Sequence, residues 1–164
     1  MTTTNELVLK IATVNGTGSA SANGLLLKSF FRMGIPVVGK NYFPSNIQGL
    51  PTWYEIRVTG AGHMARAGHV DVMVAMNAQT YEQDMHELAS GGWLLYDSTW
   101  PRSKLLGRDD VHVLGAPLSR LCNEHFDGAR ARILMKNIAY VGVLTALLDI
   151  DMTVVTTLLE ETYA

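Results

Sequence analysis

Cysteine is nearly absent: Cys122 is the sole one in 164 residues. That excludes an internal disulfide and an iron–sulfur cluster held by this chain alone, and it fits a reducing compartment. Charge is scarce too. Asp, Glu, Lys and Arg make up 17% of the chain, against roughly 25% in an ordinary soluble domain. A surface so thinly charged belongs to a domain with buried parallel strands, or to a subunit that hides surface against partners. There is no basic excess, since the formal net charge is −2, so a nucleic-acid partner is not expected. The longest apolar run, Ile138–Leu148, is about half the roughly 20 residues a membrane helix needs. The start lacks the basic and apolar regions of a signal peptide. A cytoplasmic protein with no membrane partner is expected.

Several catalytic patterns are missing as well. None of the five histidines pairs at i,i+4 on a helix, and Cys122 and His125 have no second pair of ligands, so no metal site is expected. Ser19 and Ser98 sit in no nucleophile elbow. The acids Asp97, Asp109, Asp110, Asp149 and Asp151 fall at turns and helix starts, where capping is their expected role.

Strands alternate with helices over the first two thirds of the chain. Apolar runs predict strands over Leu7–Val14, Ile35–Val38, Val70–Met76, Trp93–Tyr96 and Val111–Leu114. A helix is predicted from Gly18 to about Met33, with Leu25, Leu26, Phe30 and Met33 on one face and Gly34 as its stop. Asn41–Thr52, rich in Pro, Gly and Asn, reads as a loop, and Trp53–Thr59 after it as a strand. Because a loop and not a helix precedes Trp53, that strand is expected to be antiparallel. Ala78–Ala89 reads as a helix closed by Gly91 and Gly92. Helices then fill the last third: Leu118–Glu124, Ala129–Leu148, and one from Met152 capped by Asp151. The fold class is therefore α/β, a three-layer domain with a largely parallel sheet and a helical C-terminal third, read as one domain over 1–164. The helix 129–148 is apolar almost all round. It is either a core helix, the better reading, or it lies under a partner.

Gly16-Thr17-Gly18 follows a strand and opens a helix, where free backbone N–H groups can hold an anion. The full dinucleotide pattern is not met. Ser21 stands where a third glycine or alanine belongs, and no acid follows about 20 residues on. The turn is thus a tight connection without ligand, or a holder of a phosphate or of another chain's segment. Ser45-Asn46-Ile47-Gln48-Gly49 offers uncharged hydrogen-bonding groups flanked by Phe43, Trp53 and Tyr54. It is a solvated loop or an interface.

Three stretches together carry a family resemblance. They are the run from Val14 to Gly24, the run Phe43-Pro44-Ser45-Asn46-Ile47-Gln48-Gly49-Leu50-Pro51-Thr52-Trp53-Tyr54-Glu55, and Gly92-Trp93-Leu94-Leu95-Tyr96-Asp97-Ser98. They resemble the gamma-type domain of the 2-oxoacid:ferredoxin oxidoreductases, in the branch where it is fused to the start of the alpha subunit, as in 2-oxoglutarate:ferredoxin oxidoreductase. The resemblance implies an enzyme that oxidatively decarboxylates a 2-oxoacid on thiamine diphosphate with Mg, joins the acyl group to coenzyme A, and sends electrons through iron–sulfur clusters to ferredoxin. It implies partners in the thiamine-binding domains of alpha and beta subunits, and no catalysis by this domain alone. Gly16, Thr17, Gly18 and Ser19 would form a turn at the coenzyme A and substrate region, and Ser45 and Asn46 its facing loop. No cysteine cluster and no acidic-glycine motif for magnesium is present. The chain is therefore expected to be a fragment of the fused subunit or a free gamma subunit. Two other readings remain: an assembly module without ligand, and a stand-alone nucleotide-binding oxidoreductase.

Overall fold

The computed structural model describes residues 5–44 and 46–163. Six strands form one sheet in the order β2-β3-β1-β4-β5-β6. β1 (Glu6–Val14), β4 (Val70–Ala75), β5 (Leu88–Asp97) and β6 (His112–Ala116) run parallel as neighbours. β3 (Pro51–Thr59) runs antiparallel between β1 and β2 (Val37–Tyr42), as the missing helix before it predicts. The result is a mostly parallel three-layer α/β fold whose last third, α3 (Leu118–His125), α4 (Ala129–Leu147) and α5 (Met152–Tyr163), is helical. No described helix is long and apolar enough to cross a membrane.

Period-two alternation divides the core between the two sheet faces. Leu9, Ile11, Val72 and Val74 meet Leu26 and Phe30 of α1 (Ser19–Arg32), Tyr140 and Leu144 of α4, and Val155 and Leu158 of α5. The other face puts Val8, Met73 and Leu94 under Tyr81 and Met85 of α2 (Tyr81–Glu87), with Leu105. α2 packs on β4 and β5. On that face β1, β3 and β2 also carry Lys10, Glu55, Arg57 and Lys40.

Three boundaries differ most from the sequence reading. β2 extends through Gly39–Tyr42, because β3 pairs with each of those residues; local composition cannot report a partner strand. The helix predicted over Ala78–Ala89 is a 3-10 turn, Ala78–Thr80, followed by the short α2. Leu88 and Ala89 already belong to β5, which bulges between Leu88, opposite Val70, and Trp93, opposite Val72. Gly91 there takes φ +77, and a β-carbon on Gly92 would stand 2.9 Å from the Asp71 carbonyl oxygen. These glycines make the bulge and do not close a helix. Elsewhere the punctuation holds. Gly34 (φ +75) ends α1, and Asp151 caps α5 by accepting from the Thr153 N–H at 2.8 Å.

The long helix is a core helix over its second half. Tyr140, Val141 and Leu144 are buried in the core, while Ile133 and Leu134, nearer its start, remain 43% and 38% exposed.

Candidate functional site

From β1 the chain passes to α1 on one face; from β4 it passes to α2 on the other. Those two parallel strands are neighbours, so their carboxyl ends form a topological switch point, the place where open α/β sheets bind ligands. The predicted glycine turn follows β1 at this end. Gly16 and Gly18 take φ +86 and +81, a region open to glycine at little cost. Both are also packed closely. A β-carbon on Gly16 would meet Gln48 Cγ at 2.6 Å, and one on Gly18 would meet Leu134 Cδ2 at 2.4 Å.

The turn is held from two sides. The Asn15 N–H donates to the Leu50 carbonyl (2.8 Å), and the Gly49 N–H to the Asn15 carbonyl (3.0 Å). Asn15 Nδ2 donates to the Ile47 carbonyl at 3.1 Å. From α4, Asn137 Nδ2 donates to the Thr17 carbonyl at 2.8 Å. The structure thus brings Gly16–Ser19 together with the 46–50 loop, in which Asn46 is exposed. Ser45 lies outside the described residues.

The hydroxyls of the turn are engaged internally. Thr17 Oγ1 donates to the Val14 carbonyl at 2.8 Å. Ser19, buried, accepts from Thr13 Oγ1 at 2.9 Å. Gly18 caps α1 without a side-chain hydrogen bond. What the turn offers a ligand is therefore backbone N–H at the positive end of α1.

Three buried residues at this end were not singled out as site residues in the sequence. Asn77 donates to the Thr13 carbonyl at 3.3 Å and accepts from the Gln79 N–H at 3.0 Å, tying β4's end to β1's. Asn137 is a lone amide within an apolar helix, and that isolation was the signal available. Asp97 was read as a turn cap. It is that, but across the chain: it accepts from Thr99 Oγ1 (2.6 Å) and N–H (3.1 Å), and from the N–H (3.2 Å) and hydroxyl of Ser119 at the start of α3. Burial pushes its carboxyl up, and the bonds from Ser119 and Thr99 outweigh that, holding it below the usual range.

The profile of the pyruvate ferredoxin/flavodoxin oxidoreductase family matches residues 8–164. The chain belongs to that family. Its curated relatives include alpha subunits of two 2-oxoacid:ferredoxin oxidoreductases from Aeropyrum pernix. One is 28% identical over 122 residues, 74% of this chain and 18% of the relative. The other is 27% identical over 101 residues, 61% of this chain and 16% of the relative. The chain thus spans under a fifth of the length of these oxidoreductase subunits. Among solved structures, a 2-oxoglutarate:ferredoxin oxidoreductase from Magnetococcus marinus, described with 2-oxoglutarate, coenzyme A and succinyl-CoA bound, superposes with TM-score 0.83 at 23% identity, over 97% of this chain and 27% of that one. A pyruvate oxidoreductase subunit from Thermotoga maritima matches with TM-score 0.78 at 13% identity, over 98% of this chain and 86% of its own. The gamma subunit of a keto/oxoacid ferredoxin oxidoreductase from Geobacter sulfurreducens gives 0.73 at 14%, covering 96% and 87%. Among these solved structures the fold therefore occurs both as most of a chain and as part of a longer one. The resemblance read from the three sequence stretches agrees with these findings.

Proposed function

We propose that this chain is the gamma-type domain of a 2-oxoacid:ferredoxin oxidoreductase, with 2-oxoglutarate as the favoured substrate, and that it walls part of the coenzyme A and substrate region. The observation that carries this reading is the Gly16–Ser19 turn, locked between the 46–50 loop and α4 at the carboxyl end of β1. The ligands named for the Magnetococcus marinus enzyme support the substrate class. In this role the turn's backbone N–H groups face a phosphate or carboxylate, and Asn46 supplies amide contacts from the facing loop.

The complete enzyme would use thiamine diphosphate, Mg and iron–sulfur clusters to decarboxylate the 2-oxoacid and pass electrons on. An iron–sulfur cluster does not fit this chain alone, whose sequence has one cysteine; in this reading the thiamine diphosphate and Mg are held elsewhere too. They belong to the thiamine-binding domains of alpha and beta partners, with ferredoxin as the final acceptor. The chain's own contribution is to bind and orient, in the cytoplasm.

Calorimetric titration of coenzyme A into the chain, with 2-oxoglutarate and NADP as controls, tests the reading. Saturable coenzyme A binding that Asn46→Ala weakens supports it; NADP binding instead would revive a stand-alone nucleotide-dependent oxidoreductase. A second reading, assembly without a ligand, draws on the exposed Trp100, Phe126, Ile133 and Leu134 around α4. It predicts that Ile133→Glu weakens subunit association while coenzyme A affinity of the assembled enzyme stays unchanged.

A further inference from the structure

The sheet face that α2 leaves bare is built, not merely exposed. Cross-strand register sets three rows of side chains over β2, β3 and β1: Val38–Arg57–Val8, Lys40–Glu55–Lys10 and Tyr42–Trp53–Ala12. Lys10 and Glu55 are 4% and 5% exposed. Lys10 Nζ pairs with Glu87 of α2 and lies 5.7 Å from the Trp53 ring centroid. Behind it, Asp84 is fully buried, accepting from Trp53 Nε1 at 2.9 Å and Thr80 Oγ1 at 2.7 Å. Above this floor lie three hollows of about 610, 510 and 280 Å³, and Arg66 lines all three.

The charges of these hollows do not balance. Lys10, Lys40, Arg57 and Arg66 stand against Glu55 and Glu87, with His69 and His86 on the far rim. That is a cationic excess on a chain whose net charge is −2. The two acids are already engaged, Glu87 by Lys10 and Glu55 by Arg66 at 3.4 Å. Arg57 donates to the Ala65 carbonyl. Lys40 forms no ion pair among the described residues; its Nζ sits 5.0 Å from the Tyr42 ring centroid, and Arg66 Cζ sits 5.3 Å from the same centroid. One ring thus carries two cations, both on exposed residues, beside the flat walls of Phe43 and Trp53.

We propose that this cleft is a second ligand site, which takes a small molecule bearing two adjoining oxyanion groups. Lys40 and Arg66 each hold one group, and the aromatic walls hold the body. A diphosphate and a dicarboxylate share that chemistry. The site lies on the bare face of β1–β3–β2 and does not rest on the reading of the glycine turn.

The test is nuclear magnetic resonance of the full chain with ¹⁵N-labelled tryptophan at fixed ionic strength. The Trp53 indole signal, assigned by Trp53→Phe, reports the floor of the cleft; Trp93, stacked on His112, and Trp100 report elsewhere. Inorganic pyrophosphate and succinate are titrated separately. At least one of them moves the Trp53 signal saturably and leaves the other two in place; which one does so names the ligand's oxyanion. Lys40→Ala and Arg66→Ala each weaken that binding about tenfold, while Lys104→Ala, at an exposed lysine outside the cleft, does not. A Trp53 signal unmoved by both anions overturns the proposal. So do equal shifts of all three signals, or an equal loss in Lys104→Ala, which would indicate unspecific charge.

Discussion

At Gly18 two constraints meet in one residue: a left-handed backbone, φ +81, and a leucine methyl 2.4 Å from where a β-carbon would stand. Gly18→Ala is expected to lower stability by about 2 kcal/mol, part backbone strain and part overpacking. Leu134→Ala opens the space and leaves the strain. Added to Gly18→Ala, it should recover at least about 0.5 kcal/mol of coupling in a urea-unfolding cycle. Simple additivity would mean that Leu134 does not hold the turn. A second residue-scale pair lies deeper, where Tyr140 Oη donates to Asn23 Oδ1 at 2.8 Å with both residues buried. Tyr140→Phe strands the Asn23 acceptor and should cost about 1–2 kcal/mol. Burial also pushes the Tyr140 hydroxyl above its ordinary range, so no phenolate signal from it should appear in an alkaline titration of the folded chain. The glycine of the turn was legible in the sequence because a tight strand-to-helix turn calls for one. Its crowding was not, because Leu134 is distant in the chain and reaches the turn only through tertiary packing.

Among the elements, the start of α3 depends on the end of β5. Asp97 gathers the Thr99 and Ser119 donors, and Ser98 N–H donates to the Ala116 carbonyl at 2.9 Å beside it. The carboxyl's folded pKa lies below the ordinary 3.8. The unfolded state therefore binds the proton more readily, and the stabilisation is complete above the unfolded pKa. It is lost as pH falls through the folded value, below about pH 4. Asp97→Asn should lower stability at pH 7 by about 2 kcal/mol, and the difference from the parent chain should shrink as the acid limb is descended. A difference that does not shrink as pH falls would assign the effect to packing instead. Asp84 has the opposite sign: burial raises its carboxyl, and the bonds from Trp53 and Thr80 only partly offset that. The elements themselves were legible wherever apolar period and punctuation coincide, as in β1, α1 and α5. β2 and β5 were found only in part: Gly39–Tyr42 and Leu88–Gly92 are strands by virtue of β3 and β4 and carry little strand signal of their own. The bare cleft escaped for a related reason. Lys40, Glu55 and Lys10 stand in one row only after two antiparallel registers are known.

Across the whole molecule, the sheet separates two apolar clusters that share no helix. Whether the molecule unfolds as one unit therefore depends on the strands, since β1 and β4 place alternate side chains in both clusters. α5 is the sharpest probe of that coupling. It packs Val155 and Leu158, 3% and 2% exposed, onto the cluster with α1 and α4. Trp53 lies on the opposite face, bonded to Asp84 of α2. Leu158→Ala should cost about 2–4 kcal/mol through the cavity it leaves. In a chain keeping Trp53 of its three tryptophans, the urea midpoint by Trp53 fluorescence should fall together with the midpoint by helical circular dichroism. If the dichroism midpoint falls and the fluorescence midpoint stays, α5 and its cluster melt independently, and the sheet does not transmit the loss. Coincident shifts would mean that the glycine turn, held by α4 on the first cluster, and the charged cleft beside α2 on the second, gain and lose their geometry together.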